Sequence, residues 1–315
     1  MIDLTIGITT FNRTKFLKEC LRSVLRQSNG NIKIIISNDN PDRKLTLKNL
    51  NLLHQKNIVI FNQKKNLGPV ENKNFLLSKV KTKWFSWLSD DDKLEKNFYI
   101  KLSKLYNLTE NKNELVAIYS NFHDNNKKKV LINSNNQLYN KREFIEKYTS
   151  GKIKLVGIYG LLRTKSLKKI KGVKKLSFPF SPYCDNLVPL ELSRLGKIAY
   201  THEKLCKFRI HKNSQSNSNA SINIWLIAQS NYIKKVEKLL RKDDNSYRRK
   251  ILLNILDYFT KNIVDIIKRD NKKIFSNLFK FYYYQIKNTH KNLSFYFLPF
   301  IIINNIKLIK RLIFK

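Results

Sequence analysis

The sequence predicts an α/β fold, with a mostly parallel central sheet flanked by helices and an α-helical C-terminal extension. Three observations predict it. Apolar strand-like runs alternate with helical patterns through the first 120 residues, the signature of βαβ units. The residues directly after these runs are polar and specific, as expected where ligands bind outside the carboxyl ends of parallel strands. Beyond Ala220 the pattern becomes helical, rich in Ile, Leu, Lys and Tyr, with Pro299 as its one proline and no glycine.

Residues 4–8 read as the first strand and 15–27 as the first helix, whose apolar face is Phe16, Leu17, Cys20, Leu21, Val24 and Leu25. Further strands are expected at 33–37, 58–62, 85–88 and 116–120. From about 152 to 218 the pattern is mixed, with short runs at 158–162, 197–200 and 205–208. No repeat of fixed period is visible. The expected division is a 1–219 α/β domain followed by the 220–315 helical extension, a membrane-associating, acceptor or oligomer contact.

With 42% hydrophobic and 12% aromatic residues in 315, the composition excludes a disordered polyelectrolyte despite 27% charge. The 62 Lys+Arg against 23 Asp+Glu give a formal +39, a field that favours polyanions, anionic lipid surfaces and phosphorylated substrates. Lysine is spread along the whole chain, so charge alone names no partner. Cys20, Cys184 and Cys206 form no CxxC pair and no zinc spacing, which fits a reducing compartment better than a disulfide scaffold. The opening Met-Ile-Asp-Leu-Thr-Ile-Gly-Ile has no basic n-region, so no signal peptide is expected. Residues 295–303 are the most apolar stretch but are broken by Pro299 and too short to span a bilayer. Residues 304–315 set Ile306, Leu308, Ile309, Leu312 and Ile313 among Lys307, Lys310, Arg311 and Lys315. That pattern reads as a basic amphipathic helix on a membrane surface, or as a helix packed on the catalytic domain.

The chemistry concentrates after the strands. The first run exits into Thr9-Thr10-Phe11-Asn12-Arg13, the second into Asn38-Asp39-Asn40, and the fourth into Ser89-Asp90-Asp91-Asp92. Three consecutive carboxylates repel one another, and exposure to water or a bound cation relieves this most cheaply. Asp92-Lys93-Leu94-Glu95 is also the pattern of a capping box opening a helix. The cap does not account for Asp90 and Asp91, whose place at a strand's carboxyl end suits a hard divalent cation with a diphosphate.

The order of segments resembles the family 2 glycosyltransferases of the GT-A fold. Ile6-Gly7-Ile8-Thr9-Thr10-Phe11-Asn12-Arg13 is similar to that family's first strand and nucleotide-contacting turn. Ile34-Ile35-Ile36-Ser37-Asn38-Asp39-Asn40 is similar to its second strand, whose acidic residue recognises the base. Asn66-Leu67-Gly68 through Lys73-Asn74 resembles its Asn-x-Gly then Arg-Asn element, with Lys73 in the arginine place. Trp87-Leu88-Ser89-Asp90-Asp91-Asp92 resembles the aspartate motif that holds metal and ribose. Tyr183-Cys184-Asp185-Asn186-Leu187 resembles the segment bearing the catalytic base, and Phe208-Arg209-Ile210-His211 with Ser214 and Ser216 the Tyr-Arg-x-His-x-x-Ser ending. The resemblance covers roughly the first two thirds of the chain, and the collinear set is far more specific than any member. Two departures matter: Cys184 stands where an acidic residue is common, and Ser89 where the family often has the first Asp of its motif. The second moves the metal-ligand role to Asp91 and turns Asp90 toward the ribose.

The resemblance implies an inverting glycosyltransferase, moving a sugar from a nucleotide-diphosphate donor (a UDP-sugar favoured) to a glycan or lipid-linked acceptor with Mn²⁺ or Mg²⁺. The implied setting is bacterial surface polysaccharide or lipooligosaccharide synthesis, peripheral at the inner face of the cell membrane. Asp185 is then the catalytic base, against the reading of an N-cap for a helix starting at Asn186, with Pro189 tolerated in its first turn. Asp39 either accepts from a uracil-type base or makes an Asx turn in 38–43. Thr9, Thr10, Phe11, Asn12, Arg13, Asn66, Gly68, Lys73, Asn74 and Asp90 complete the donor site. Arg13 and Lys73 meet the diphosphate or face solvent. His211, beside Arg209 in a polar loop, binds metal or diphosphate. His54, His123, His202 and His290 read as structural or surface residues. Nucleic acid is not an expected partner. The rival readings are a basic nucleic-acid-binding protein, motivated by +39, and nucleotidyl transfer on a related fold, which would release pyrophosphate.

Overall fold

The structure is a computed structural model that describes residues 2–27, 32–123, 136–209, 211 and 221–269. In chain order the elements are β1 (Leu4–Thr10), α1 (Thr14–Leu25), β2 (Ile32–Asn38), α2 (Leu47–Leu50), β3 (Ile58–Asn62), α3 (Pro69–Lys79), β4 (Trp84–Ser89), β5 (Lys93–Leu94) and α4 (Phe98–Leu108). They continue as β6 (Leu115–His123), β7 (Gln137–Tyr139), α5 (Lys141–Thr149), β8 (Gly160–Arg163), α6 (Thr164–Lys169), α7 (Cys184–Leu192), β9 (Lys197–Lys207), α8 (Ile222–Leu240) and α9 (Asn245–Arg269).

One sheet in the order β3-β2-β1-β4-β8-β6-β9-β5 carries the first unit, with β7 added on β9. β3, β2, β1 and β4 are parallel to one another, as the βαβ pattern predicts. Near-continuous burial of Leu4, Ile6 and Ile8 in β1 and of Trp84, Phe85, Trp87 and Leu88 in β4 is what strands covered on both faces require. The other half is mixed: β8 runs antiparallel between β4 and β6, whereas β6 and β9 are parallel. Register places Thr9 opposite both Ser37 and Ser89, so β1, β2 and β4 end at one level and their exit loops meet. On α1, Leu17, Cys20, Leu21 and Val24 are buried, as its sequence periodicity requires. α3 starts at Pro69 after Gly68, whose φ of 82° lies in the left-handed region that glycine adopts at no steric cost.

Three local expectations are corrected. The runs at 197–200 and 205–208 are joined in one long strand, β9, which ends at Lys207, because His202 and Glu203 are accommodated as extra residues between the pairs Ser120–Thr201 and Asn121–Lys204. Asp92 caps no helix: Lys93 and Leu94 pair with Lys207 and Cys206, and α4 begins later, after Asn97. Nor is Asp185 an N-cap, since α7 begins at Cys184 and Asp185 lies inside its first turn. Pro189 therefore falls beyond the first turn and withholds the N–H that the Asp185 carbonyl would receive. Gly157 fills that place: a Cβ there would stand 2.0 Å from the Asp185 carbonyl oxygen and 3.0 Å from Pro189 Cδ.

The chain divides into two compact units, Met1–Lys175 with Cys184–Ser218, and Leu176–Tyr183 with Asn219–Lys315. Within the second, α8 packs on α9, Tyr183 lies 4.8 Å from Phe259 and 5.6 Å from Trp225 between ring centroids, and Asn231 donates to the Leu176 carbonyl at 2.8 Å. Among the described residues no helix is long and apolar enough to cross a membrane. The apolar 295–303 stretch and the basic amphipathic 304–315 segment lie outside the described residues.

Gly157→Ala should cost about 1–3 kcal/mol, the usual scale for overpacking, because backbone rather than a flexible side chain must yield. Urea unfolding of the variant against the parent checks this.

Candidate active site

The acidic run leaves β4 and turns at once, and all three aspartates are buried, with relative exposures of 0% for Asp90, 8% for Asp91 and 1% for Asp92. Exposure to water is therefore not how their repulsion is relieved; protein donors from other elements surround them. Thr10, the last residue of β1, donates to Asp90 Oδ2 at 2.6 Å. Arg13, just before α1, reaches Asp90 Oδ1 at 2.8 Å as an ion pair outside hydrogen-bond alignment, and donates to Asp91 Oδ2 at 2.5 Å. Tyr159 donates its hydroxyl to Asp92 Oδ2 and accepts from the Ser89 amide at 3.2 Å. The Arg209 amide donates to Asp92 Oδ1 at 2.8 Å.

Burial still dominates. It pushes Asp90 up to about 6 against the pull of Arg13, and Asp92 up to about 7 with the neighbouring charge of Asp91 adding to the rise. Arg209 holds the turn from the far side, its Nε donating to the Asp91 carbonyl and its Nη1 to Glu19 Oε2 at 2.7 Å. Its guanidinium lies 4.8 Å from the Phe16 ring centroid, and the same ring stacks on the His211 imidazole at 4.5 Å. One face of α1 thus presents Phe16 and Glu19 to the end of β9 and orients Arg209 and His211 just beyond it.

His211 Nε2 comes within 3.1 Å of Asp91 Oδ2. A carboxylate oxygen and an imidazole nitrogen this close can converge on one divalent cation. Among the described residues no group of three or more His, Cys, Asp or Glu side chains is placed to hold a metal unaided. The pair fits a cation that takes its remaining ligands from a diphosphate, the usual arrangement for Mg²⁺-like ions.

The other predicted residues divide between this cluster and its surroundings. Phe11 and Asn12 are exposed at the β1 exit, Asn12 with a φ of 58° and its side-chain oxygen accepting from Asn40, while Thr9 is half-buried beside Ser37 and Ser89. Both oxygens of Asp39 accept backbone amides, Leu67 at 2.8 Å and Gly68 at 3.0 Å, so this buried carboxylate ties β2 to the start of α3. Burial pushes its pKa up, against those two hydrogen bonds. Asn66 stabilises the same turn through the Gly68 amide at 2.9 Å. Asn74 is not brought into the cluster: its amide is bonded both ways to the backbone of Val173, each at 2.9 Å. Lys73 reaches Asp185, with Nζ 3.7 Å from Oδ1. Ile210, Ser214 and Ser216 of the motif ending lie outside the described residues. Sequence reasoning missed Tyr159, Glu19 and the bridging work of Phe16 and Arg209. Only Arg209 carried a signal, its place two residues before His211.

The model of glycosyl transferase family 2 ("Glycosyl transferase family 2") matches residues 5–170, and the chain belongs to that family. An uncharacterized glycosyltransferase of Haemophilus influenzae is 24% identical, with 99% of this chain and 97% of that protein covered. The GalNAc(5)-diNAcBac-PP-undecaprenol beta-1,3-glucosyltransferase of Campylobacter jejuni is 32% identical over 96 residues, 30% of this chain and 31% of its own length. Among solved structures, S. aureus TarS 1–349 superposes with a TM-score of 0.65 at 12% identity, covering 98% of this chain and 89% of that TarS 1–349 chain. The same protein in complex with UDP-GlcNAc gives 0.57 at 12% identity, covering 94% and 93%. The mannosyltransferase PcManGT of Pyrobaculum calidifontis, in complex with GDP-Man and Mn²⁺, gives 0.55 at 10% identity, covering 99% and 88%. These likenesses show the GT-A fold, so the fold expected from the motif order is the fold found.

The raised carboxyls make stability depend on pH. The folded chain holds protons on Asp90 and Asp92 that the unfolded chain releases near 3.8, so stability falls as pH rises from about 4 to about 7. In chelator the melting temperature should be higher at pH 5.5 than at pH 8, and Asp92→Asn should flatten the dependence. A parallel pair of melting profiles measures both.

Proposed function

We propose that the chain is an inverting glycosyltransferase that moves a sugar from a nucleotide diphosphate, a UDP-sugar by preference, to a glycan or lipid-linked acceptor. The observation that carries the reading is the meeting of Asp91 with His211 and Arg13 in the turn after β4. Asp91 and His211 are the residues that would hold Mn²⁺ or Mg²⁺. When bound, that cation neutralises the leaving diphosphate.

The chain's own residues do the rest. The β1 exit from Thr9 to Arg13 and the Asp39-braced Asn66–Gly68 turn flank the nucleotide, with Asp39 retaining a lone pair on each oxygen for a base N–H. Asp90, wholly buried and held by Thr10 and Arg13, supports the turn behind Asp91 instead of touching the ribose. Asp185 takes the proton of the acceptor hydroxyl as its oxygen bonds to the anomeric carbon, the bond from that carbon to the diphosphate breaks, and the nucleoside diphosphate departs.

UDP-GlcNAc in the TarS complex and Mn²⁺ in the PcManGT complex support the donor and metal choices, and the undecaprenol-linked glycan in the Campylobacter enzyme's name supports the acceptor class. Residues 1–219 are read as the catalytic domain. The basic segments of 220–315 are read as the contact with an anionic membrane at its cytoplasmic face, where surface polysaccharide or lipooligosaccharide is assembled.

A thermal-shift panel of nucleoside diphosphates should show its largest stabilisation with UDP plus Mn²⁺, and Asp91→Ala should remove the Mn²⁺-dependent part together with turnover. Asp185→Asn should keep that shift while transfer falls by about 10²–10⁴-fold. Retained turnover in either variant would reject the corresponding role. Truncation after Ile303 should release the protein from anionic vesicles in a flotation assay.

A further inference from the structure

Lys73 is buried within α3, its side chain 10% exposed, and its carbonyl accepts the Trp87 indole N–H at 2.9 Å, which fixes this part of the helix against β4. Its Nζ lies 3.7 Å from Asp185 Oδ1. That separation is longer than an ordinary hydrogen bond, so the lysine acts on the carboxylate chiefly through its charge. The same oxygen receives the Cys184 thiol at 3.3 Å. The backbone of Asp185 is seated on Gly157, where any side chain would collide with it. The carboxylate is therefore located by backbone packing from one direction and by a buried cation from another, while its side chain remains 31% exposed.

We propose that Lys73 is a positioning residue for Asp185, fixing the orientation and charge of that carboxylate from inside α3, and that it is not a diphosphate ligand. Burial pushes Lys73 down, but Asp185 opposes this strongly enough to hold it above the usual lysine range, so it is a permanent cation. The charged and titratable groups facing the pair are Cys184 beside Asp185 and, acting on Lys73 through space, Asp91. A fixed cation 3.7 Å from Oδ1 draws the Asp185 carboxylate toward α3 by its charge and so holds its orientation. The inference rests on reading Asp185 as the base for its consequence in catalysis, but the pairing itself is measurable without that reading.

The experiment uses the full chain with ¹³Cγ-labelled aspartate, the Asp185 resonance being assigned by its loss in Asp185→Asn. Lys73→Met should raise the Asp185 titration midpoint by about one pH unit or more, and Lys73→Arg should return it toward the parent value. Affinity for UDP with Mn²⁺, measured by calorimetry, should stay within about threefold for Lys73→Met, while the acid limb of its pH–rate profile for donor turnover moves upward. An unmoved Asp185 titration overturns the proposal. So does a tenfold or greater loss of UDP affinity with that titration unchanged, which returns Lys73 to the diphosphate. If Lys73→Met does not fold, the ¹⁵Nζ resonance of Lys73 in the parent reads the same pair. A step in it that tracks the Asp185 titration and vanishes in Asp185→Asn supports the pair, and its persistence in Asp185→Asn overturns it. Full transfer by Asp185→Asn would reject the base reading alone, leaving the carboxyl titration to decide the pair.

Discussion

Three adjacent carboxylates are buried in a single turn, and the rest of the site is arranged around that constraint. A carboxylate removed from water is costly unless it is hydrogen-bonded and paired. Here the partners arrive from the end of β1, from the approach to α1, from the approach to β8 and from the end of β9, through Thr10, Arg13, Tyr159 and Arg209. Each supplies the acidic turn and is itself located by it, so these segments are fastened to β4 where the parallel strands end. The remaining strain is visible in Asp90 and Asp92, whose pKa values stay raised by burial despite their donors. Asp91 shares one oxygen between Arg13 and His211 and is the least buried of the three.

Arg209 shows how few side chains hold this arrangement. It clamps the Asp91 carbonyl, pairs with Glu19, lies over Phe16 and offers its amide to Asp92. Lys93 also pairs with Glu19 at 2.6 Å, and Lys93 together with Arg209 keeps that carboxyl below its usual range. Because Phe16 stacks on His211 as well, α1 sets the imidazole's plane as surely as it sets the arginine's position. Asp39 performs the matching task on the other side of β1, spending both oxygens on the turn that starts α3.

The helix bearing Asp185 is placed by a different device. Pro189 leaves the Asp185 carbonyl without its helical donor, and the absence of a side chain at Gly157 lets the backbone approach that carbonyl closely. Lys73 then reaches the carboxylate from α3. A lysine in the place where the resemblance leads one to expect arginine is thereby tied to the acid on α7.

The positions of the first four parallel strands, the apolar face of α1 and the polar exits of β1, β2 and β4 were legible in the sequence, because hydrophobic period and exit-loop composition are local properties. The collinear motif order identified the family for the same reason. The sequence could not decide which donor meets which buried carboxylate. Asp92-Lys93-Leu94-Glu95 carries a sound local signal for a helix cap, yet Lys93 and Leu94 pair instead with residues of β9 more than a hundred positions away, and non-local pairing overrides local propensity. The bulge that lets β9 run through Thr201-His202-Glu203 is hidden likewise, since it exists only against β6. Tyr159, Glu19 and the Lys73–Asp185 pair belong to the same class. The sequence by itself determined the fold and the family; the tertiary structure alone decided the partners of each charge, because a buried ion is satisfied by whatever the sheet order brings beside it.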